Sequence, residues 1–150
     1  MTSTALLGFQ EHIISAMKDP TSSDLLILAR GLGLRKIVCS LLKLYLALGK
    51  LVVLLGASNL EEDQSIGSQL STMGVRNPGL RIVGYEMDKK ARYVCSAGSQ
   101  FEKRLSTGRQ ELYRQGGLVS VTSRILVVDL LVGDLPTHLI GGMVVMHAEK

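Results

Sequence analysis

A glycine-rich turn is the first place where this sequence could bind a ligand. The run Ala29-Arg30-Gly31-Leu32-Gly33 follows an apolar stretch and precedes a helical pattern. A turn of this kind between a strand and a helix suits nucleotide phosphates, because backbone N–H groups and the helix N-terminus converge there. The Walker A motif G-x-x-x-x-G-K-[ST] adds a lysine for the phosphates and a hydroxyl for magnesium.

Neither Walker side chain is in place in this chain. In either alignment of the turn with the motif, the lysine and hydroxyl positions fall on Leu34, Arg35 or Lys36. A dinucleotide-binding G-x-G-x-x-G motif fails as well, since Lys36 replaces its third glycine. We therefore interpret Gly31 and Gly33 as a degenerate phosphate loop that binds no cofactor. A divergent NTP-binding enzyme stays open as an alternative.

The second candidate site follows the apolar run 142–146. In a helicase-like domain, the corresponding strand ends in an Asp-Glu pair that holds magnesium and activates water. Here His147-Ala148-Glu149-Lys150 take that place, so magnesium has no aspartate to anchor it. The histidines show no metal-ligand spacing with either cysteine, and no G-x-S-x-G motif occurs. We expect no metal site and no catalytic residue in this chain.

The third candidate site is Thr122-Ser123-Arg124, between an apolar run and a helical pattern. A helix start with hydroxyls, backbone N–H groups and a cation suits a phosphate of a nucleic-acid backbone. An ordinary helix that is N-capped by Ser123, with Arg124 and Asp129 solvated, explains the same residues, and the chemistry alone favours that explanation.

The elements that position these sites follow from hydrophobic periodicity. Short β-rich runs alternate with longer helical stretches, which is typical of a parallel α/β sheet. The run 25–29 is apolar throughout, as expected for a strand buried on both faces. The predicted strands are 25–29, 51–55, 80–83, 118–121 and 142–146. The predicted helices are 5–18, 34–48, 59–73, 104–115 and 124–132.

Length and composition limit the class of protein. The chain has 150 residues, 46% of them hydrophobic and 20% charged, which favours one globular domain over disorder or collagen. The longest apolar run is interrupted by Lys43 and is too short to span a membrane, and no secretory signal is visible. Two cysteines without paired spacing fit a reducing compartment. The net charge of +4 permits nucleic acid as a partner without requiring it.

Four segments together resemble the XPF family of structure-specific DNA repair endonucleases. They are Ala29-Arg30-Gly31-Leu32-Gly33, Gln115-Gly116-Gly117, the run T-S-R-I-L-V-V-D at 122–129, and the run L-I-G-G-M-V-V at 139–145. The resemblance covers nearly the whole chain and falls on the start of the family's proteins. The T-S-R-I-L-V-V-D run beside Q-G-G is its most specific part.

The resemblance implies the first RecA-like half of a superfamily 2 helicase-like module, a parallel sheet with helices on both faces that has lost its ATPase motifs. The family's nuclease signature G-D-x(n)-E-R-K-x(3)-D and its tandem helix-hairpin-helix motifs are absent from this chain. We therefore expect that this chain cannot cut DNA by itself, and that the domain 1–150 is incomplete at its C-terminus. The candidate DNA-binding residues are Arg30, Arg35, Lys36, Thr122, Ser123 and Arg124.

The resemblance also implies partners and a place in the cell. Expected partners are branched or damaged DNA, repair scaffold proteins and, through downstream domains, a smaller non-catalytic subunit. Magnesium would serve only the downstream nuclease domain, and the expected role is nucleotide excision repair in the nucleus. Two alternatives stay open, namely the divergent NTP-binding enzyme and a protein-interaction module without DNA affinity.

One stretch departs from the family pattern. The segment before Gln-Gly-Gly is short in relatives, whereas here Ala91 and Arg109 would join naturally if 92–108 were removed. We interpret 92–108 as an inserted loop, for which a retained intron translated in frame is one possible origin. The small polar residues at its centre favour a loop.

Overall fold

A computed structural model of the protein describes residues 5–19, 21–57, 60–76, 79–83, 90–94, 100–104 and 109–148. At 90–94 and 100–104 the backbone alone is described. The helices are α1 (Gly8–Ala16), α2 (Leu34–Leu46), α3 (Leu60–Thr72), α4 (Arg109–Arg114) and α5 (Ser123–Val132), and a short 3-10 helix covers Thr137–Leu139. The strands are β1 (Leu51–Leu55), β2 (Arg81–Val83), β3 (Lys90–Val94), β4 (Gln100–Arg104), β5 (Gly117–Val121) and β6 (Ile140–Val145).

These strands form one sheet in the order β4-β3-β2-β5-β1-β6. The four strands β2, β5, β1 and β6 are parallel, and the antiparallel hairpin of β3 and β4 extends the sheet beyond β2. The predicted α/β class with a parallel sheet is confirmed, with four parallel strands instead of about five.

The strand predicted at 25–29 is wrong. This segment bonds to no described strand, and the side chains of Leu25 and Ile27 are 79% and 87% exposed. The apolar run shows only that burial would be favourable, whereas a strand exists only where a neighbouring strand accepts its hydrogen bonds. The other four predicted strands are confirmed within two residues at each end.

The structure also differs from the predicted loop at 92–108 and the predicted helix at 104–115. Arg104 belongs to β4 and α4 begins at Arg109, so the helix predicted from 104 starts too early. Parts of 92–108 form the hairpin of β3 and β4, because each strand satisfies the backbone groups of the other. The centre of the stretch, 95–99, and its end, 105–108, lie outside the described residues. That 92–108 is an insertion stays a prediction.

The hydrophobic core has two layers, one on each face of the sheet. On one face α2 and α3 cover the sheet, and on the other α4 and α5 do so. Successive residues of a strand point to opposite faces, so β1 contributes Val52 and Leu54 to the first layer and Val53 to the second. All five residues of β1 are buried. The expectation of helices on both faces is therefore confirmed.

Helices α2 and α3 run in the same direction along their face. The thiol of Cys39 lies 3.8 Å from the carbonyl oxygen of Ile66, and Lys43 Nζ donates to the carbonyl oxygen of Met73 at 2.8 Å. Because α3 follows β1, it begins at the carboxyl edge of the sheet. Helix α2, being parallel to α3, also has its N-terminus at that edge.

A buried carboxylate fastens α4 to α5. The Tyr113 hydroxyl donates to Asp129 Oδ2 at 2.5 Å, and Arg109 Nη2 lies 3.0 Å from Asp129 Oδ1. Asp129 and Tyr113 are both fully buried. Burial, and after it the hydrogen bond to Asp129, raises the pKa of Tyr113. The hydroxyl therefore stays a donor, and the carboxylate has two partners inside the core.

Removing either partner tests this contact. We expect Tyr113→Phe to lower the free energy of unfolding by about 1–3 kcal/mol, because the buried carboxylate loses a donor. Asp129→Ala should cost more, about 3–5 kcal/mol, since it breaks the buried pair and strips the tyrosine of its acceptor. Glu111→Ala, on the same helix α4, is the control and should change little. Urea unfolding checks this order, and equal losses for all three variants would contradict it.

Candidate nucleic-acid interface at the carboxyl edge of the sheet

The carboxyl edge of the sheet has the topology of a ligand-binding edge. The neighbouring parallel strands β1 and β5 send their chains to opposite faces, β1 into α3 and β5 into α5. Loops that diverge in this way leave a crevice at the strand ends, where open α/β sheets bind their ligands. All three sites singled out from the sequence belong to this edge.

The ends of β1 and β6 are in close contact at this edge. The backbone N–H of Met146 donates to the carbonyl oxygen of Leu55 at 2.8 Å. Gly56 follows with a positive φ of 79°, and a Cβ atom there would lie 2.0 Å from the Met146 carbonyl oxygen. Only glycine fits this turn, because a side chain would collide with backbone.

Carboxylates occupy the start of α3, beside the crevice. Its first turn carries Glu61, Glu62 and Asp63, and acidic residues at that position stabilise the helix through its dipole. His147 Nε2 lies 3.3 Å from Glu62 Oε1, which ties the end of β6 to this turn. These carboxylates take the place where a helix N-terminus would otherwise attract phosphate.

One of these carboxylates is buried against the sheet. The Ser120 hydroxyl donates to Asp63 Oδ1 at 2.6 Å, and both residues are buried. Burial raises the pKa of Asp63, and the hydrogen bond from Ser120 opposes that rise. No local sequence pattern indicated this pair, because 57 residues separate its members along the chain.

The degenerate phosphate loop is packed against α1. Gly31 and Gly33 both have positive φ, 85° and 79°. The side chain of Gln10, which is buried, donates from Nε2 to the carbonyl oxygen of Leu32 at 3.1 Å. A Cβ atom on Gly33 would lie 2.7 Å from Gln10 Nε2. The side-chain amide of Gln10 therefore occupies the space beside the loop. No sequence motif predicted this contact.

The side chain of Lys36, near the same loop, also forms a hydrogen bond within the protein. Its Nζ donates to the carbonyl oxygen of Ala5, on the segment that leads into α1. Arg30 and Arg35 are exposed. The three basic residues therefore lie around the N-terminus of α2, whose first turn contains no acidic residue.

The Thr122-Ser123-Arg124 site is the N-terminus of α5. Thr122 is the N-cap, and its Oγ1 accepts a hydrogen bond from the backbone N–H of Ile125 at 3.4 Å. Thr122, Ser123 and Arg124 are all exposed, and no acidic residue lies in the first turn of α5. A capped helix start is confirmed, with Thr122 as the cap in place of Ser123, whereas the expectation of a solvated Asp129 is wrong because Asp129 is fully buried. The N-terminus of a helix without an acidic residue in its first turn favours a nearby anion through the helix dipole.

The six candidate residues thus lie at one edge of the sheet without forming a single cluster. Arg30, Arg35 and Lys36 belong to the face of α2, and the Thr122-Ser123-Arg124 group belongs to the opposite face. The carboxylates of α3 share the face of α2. An extended polyanion could follow this edge, whereas a compact ligand could not contact both basic groups together.

Metal-ligating groups are sparse in the part of the chain that the structure describes. Within it, no three His, Cys, Asp or Glu side chains come together in a way that could hold a metal ion. Cys39 is a buried free thiol whose pKa burial raises to about 12, so it stays protonated and unreactive. Glu149 and Cys95 lie outside the described residues.

No helix among the described ranges is long and apolar enough to cross a membrane.

Comparison with known proteins identifies the family. The mouse protein named DNA repair endonuclease XPF is 32% identical to this chain over 145 residues, which is 97% of the chain. The Drosophila melanogaster protein of the same name is also 32% identical, over 144 residues and 96% of the chain. The chain belongs to the XPF family. The fission yeast DNA repair protein rad16 is 28% identical over a similar span. No family model and no solved structure matches.

The match to XPF covers only a small part of these relatives. The chain spans 14% of the mouse protein and 12% of the Drosophila protein. The similarity therefore identifies the family of this domain. The activity of a whole XPF protein is only proposed for this chain.

The closed turn at Gly56 allows a direct test of the geometry of this XPF-family domain. Gly56→Ala should lower the free energy of unfolding by about 3 kcal/mol or more, because it adds a backbone collision to the left-handed strain. Gly49→Ala is the matched control, since Gly49 also has positive φ but open space around it. It should cost only about 1–2 kcal/mol. Denaturant titration checks both, and equal losses would show that the β1–β6 closure is looser than described.

Proposed function

We propose that this chain is a DNA-engaging, ATP-independent module of an XPF-type repair endonuclease. The observation that carries the proposal is the distribution of charge at the carboxyl edge. Basic residues lie at the N-termini of α2 and α5, neither of which has an acidic residue in its first turn. The crevice between them carries the acidic first turn of α3. This arrangement favours an extended phosphate backbone over a nucleotide in the crevice.

The proposed contacts are with DNA phosphates. Exposed helix N-termini bind phosphate oxygens through backbone N–H groups, and a neighbouring Arg or Lys adds a charge-assisted bond. Arg124 and Ser123 would supply such a contact on one face of the sheet, and Arg30 and Arg35 on the other. Contacts of this kind fix position and carry no base sequence, which suits an endonuclease that selects DNA by structure.

We further propose that the domain has no ATPase activity. The loop at Gly31 and Gly33 lacks the Walker lysine and hydroxyl, and the Gln10 side chain lies against it. The strand end that would hold magnesium carries His147, which is paired with Glu62. The missing Walker lysine and hydroxyl, and His147 at the position of the magnesium-binding aspartate, support this proposal.

The wider role is proposed from the relatives' names, which call them DNA repair endonucleases and DNA repair proteins. On this basis the chain would act in excision repair in the nucleus, on branched or damaged DNA. Repair scaffold proteins and a smaller non-catalytic subunit would be its protein partners, the latter through domains that this chain does not contain. Magnesium would serve the nuclease domain alone.

Substitution at α5 tests the DNA contact. Arg124→Ala should weaken binding to a splayed duplex about threefold to tenfold and reduce the slope of log affinity against log salt by about one, because one phosphate contact is lost. Fluorescence anisotropy at several salt concentrations measures both quantities. Arg114→Ala is the matched control, since Arg114 is an exposed arginine in the last turn of α4, at the amino edge of the sheet.

The control variant should bind like the unchanged chain. If Arg124→Ala leaves both affinity and salt slope as they were, or if Arg114→Ala has the same effect, the proposed interface is wrong. Retention of partner proteins by a chain with no measurable DNA affinity would instead favour the protein-interaction module.

Nucleotide titration tests the absence of ATPase function. Fluorescent ATP with magnesium should show no saturable binding at micromolar concentrations, because the loop lacks a lysine and the crevice is lined with carboxylates. Gln10→Ala should not create binding, since it removes the obstructing amide without supplying those groups. Saturable, magnesium-dependent binding by the unchanged chain would favour the divergent NTP-binding enzyme.

A further inference from the structure

The hairpin of β3 and β4 holds most of the net charge of this protein. Its two strands of five residues each contain four basic residues and one acidic residue, which are Lys90, Arg92, Lys103, Arg104 and Glu102. The strands therefore carry +3 of the chain's net charge of +4. Such a concentration of one sign attracts a partner of the opposite sign and raises its rate of association.

The register of the hairpin gathers the basic residues at one end. Strand β3 runs antiparallel to β2, so it begins at the carboxyl edge of the sheet, and β4 returns to end at that edge. The three pairs nearest that edge are Lys90 with Arg104, Ala91 with Lys103, and Arg92 with Glu102. The two pairs farther from it are Tyr93 with Phe101 and Val94 with Gln100, and neither contains a charge. All four basic residues thus belong to the carboxyl edge.

Two cations are directly opposite each other at the end of this ladder. Lys90 and Arg104 are partners in register, and like charges at opposed positions destabilise an antiparallel pair. The opposed aromatic residues Tyr93 and Phe101 act in the other sense, because aromatic pairs stabilise a ladder. An anion bound across the two strands would remove the repulsion between the cations. The register therefore favours an anionic ligand at this end of the hairpin.

The position of the hairpin in the sheet favours DNA as that ligand. Helix α5, whose N-terminus is one of the proposed DNA contacts, begins directly after β5. Strand β4 lies three positions from β5 in the sheet, which is about 14 Å at the usual spacing of strands. This distance corresponds to roughly four base pairs along a duplex. A DNA backbone that contacts α5 can therefore reach the hairpin along the same edge.

From the charge, the register and the shared edge we infer that the basic end of the hairpin is a further binding site for the phosphate backbone of DNA. We call Lys90, Arg92, Lys103 and Arg104 the basic ribbon. The tip of the hairpin, 95–99, is no part of the site. Most of the basic ribbon falls in 92–108, which we predict is an insertion, so the site would be this chain's addition to the family's domain. The inference rests on the proposed function, because both take the same ligand.

Binding of a splayed duplex, followed by fluorescence anisotropy at several salt concentrations, tests the basic ribbon. The double variant Lys90→Ala with Arg104→Ala should bind about tenfold or more weakly and lower the slope of log affinity against log salt by about two, because two phosphate contacts are lost. Lys50→Ala with Arg114→Ala is the matched control, since it removes two exposed cations at the amino edge. The control should bind like the unchanged chain.

Equal losses in the two double variants would overturn the inference, because net charge alone would then explain them. A change of opposite sign is expected at the acidic member of the hairpin. Glu102→Gln should strengthen binding about twofold to threefold, since it removes a repulsion between the carboxylate and phosphate. Unchanged or weaker binding by Glu102→Gln would contradict a phosphate contact at this end of the hairpin.

Two further measurements separate loss of binding from loss of fold. Lys90→Ala with Arg104→Ala should leave the midpoint of urea unfolding unchanged or raise it, because a like-charge pair is removed. In the unchanged chain, the duplex should slow hydrogen exchange in peptides that cover 90–104, because a bound site opens less often. Exchange in these peptides that the duplex does not alter would overturn the inference, whether or not the variants fold.

The outcomes also separate the basic ribbon from the proposed function. If Arg124→Ala weakens binding and the Lys90→Ala with Arg104→Ala variant does not, the inference fails and the proposed function stands. If only the latter variant weakens binding, the basic ribbon is supported and the proposed contact at α5 is wrong. A chain without measurable affinity for the duplex would refute both.

Discussion

The central position of β1 is the constraint on which the rest of the structure depends. This strand is buried throughout and pairs in parallel with β5 on one side and β6 on the other. Parallel pairing requires a crossover connection between strands, so α3 and α5 both begin at the carboxyl edge of the sheet. The chain moves toward β2 through α3 and in the opposite direction toward β6 through α5, and right-handed crossovers therefore put the two helices on opposite faces. The crevice, the closed turn at Gly56 and the positions of the helix N-termini all follow from that requirement.

The carboxyl edge of the sheet contains helix N-termini with two kinds of electrostatic environment. At α3 the acidic first turn stabilises the helix and keeps phosphate out of the crevice, whereas the N-termini of α2 and α5 keep their positive ends exposed. The glycine turn lacks the lysine and hydroxyl of a Walker loop, and the side chain of Gln10 lies against it.

How far the sequence predicts the site depends on the length scale of each feature. A capped start of α5 was predictable to within one residue, Thr122 for the expected Ser123, because a cap is a local bond spanning three residues. The contact of Gln10 with the glycine turn and the bond between Ser120 and Asp63 were not, since each joins residues far apart along the chain. The prediction of a strand at 25–29 was wrong for the same reason, because the pairing of one strand with a neighbouring strand is not a local property of the sequence.

The sequence by itself determined the α/β class, four of the five predicted strands, the approximate positions of most helices and the absence of the Walker lysine and hydroxyl. These depend on periodicity and residue type, which act over a few neighbouring positions. Only the tertiary structure decided that α2 and α5 have their N-termini at one edge of the sheet on opposite faces. It also decided that the acidic first turn of α3 lies at that edge, and that Val127, Val128 and Leu131 of α5 stay exposed. Such features depend on the order of strands in the sheet, which long-range packing fixes and no local pattern encodes.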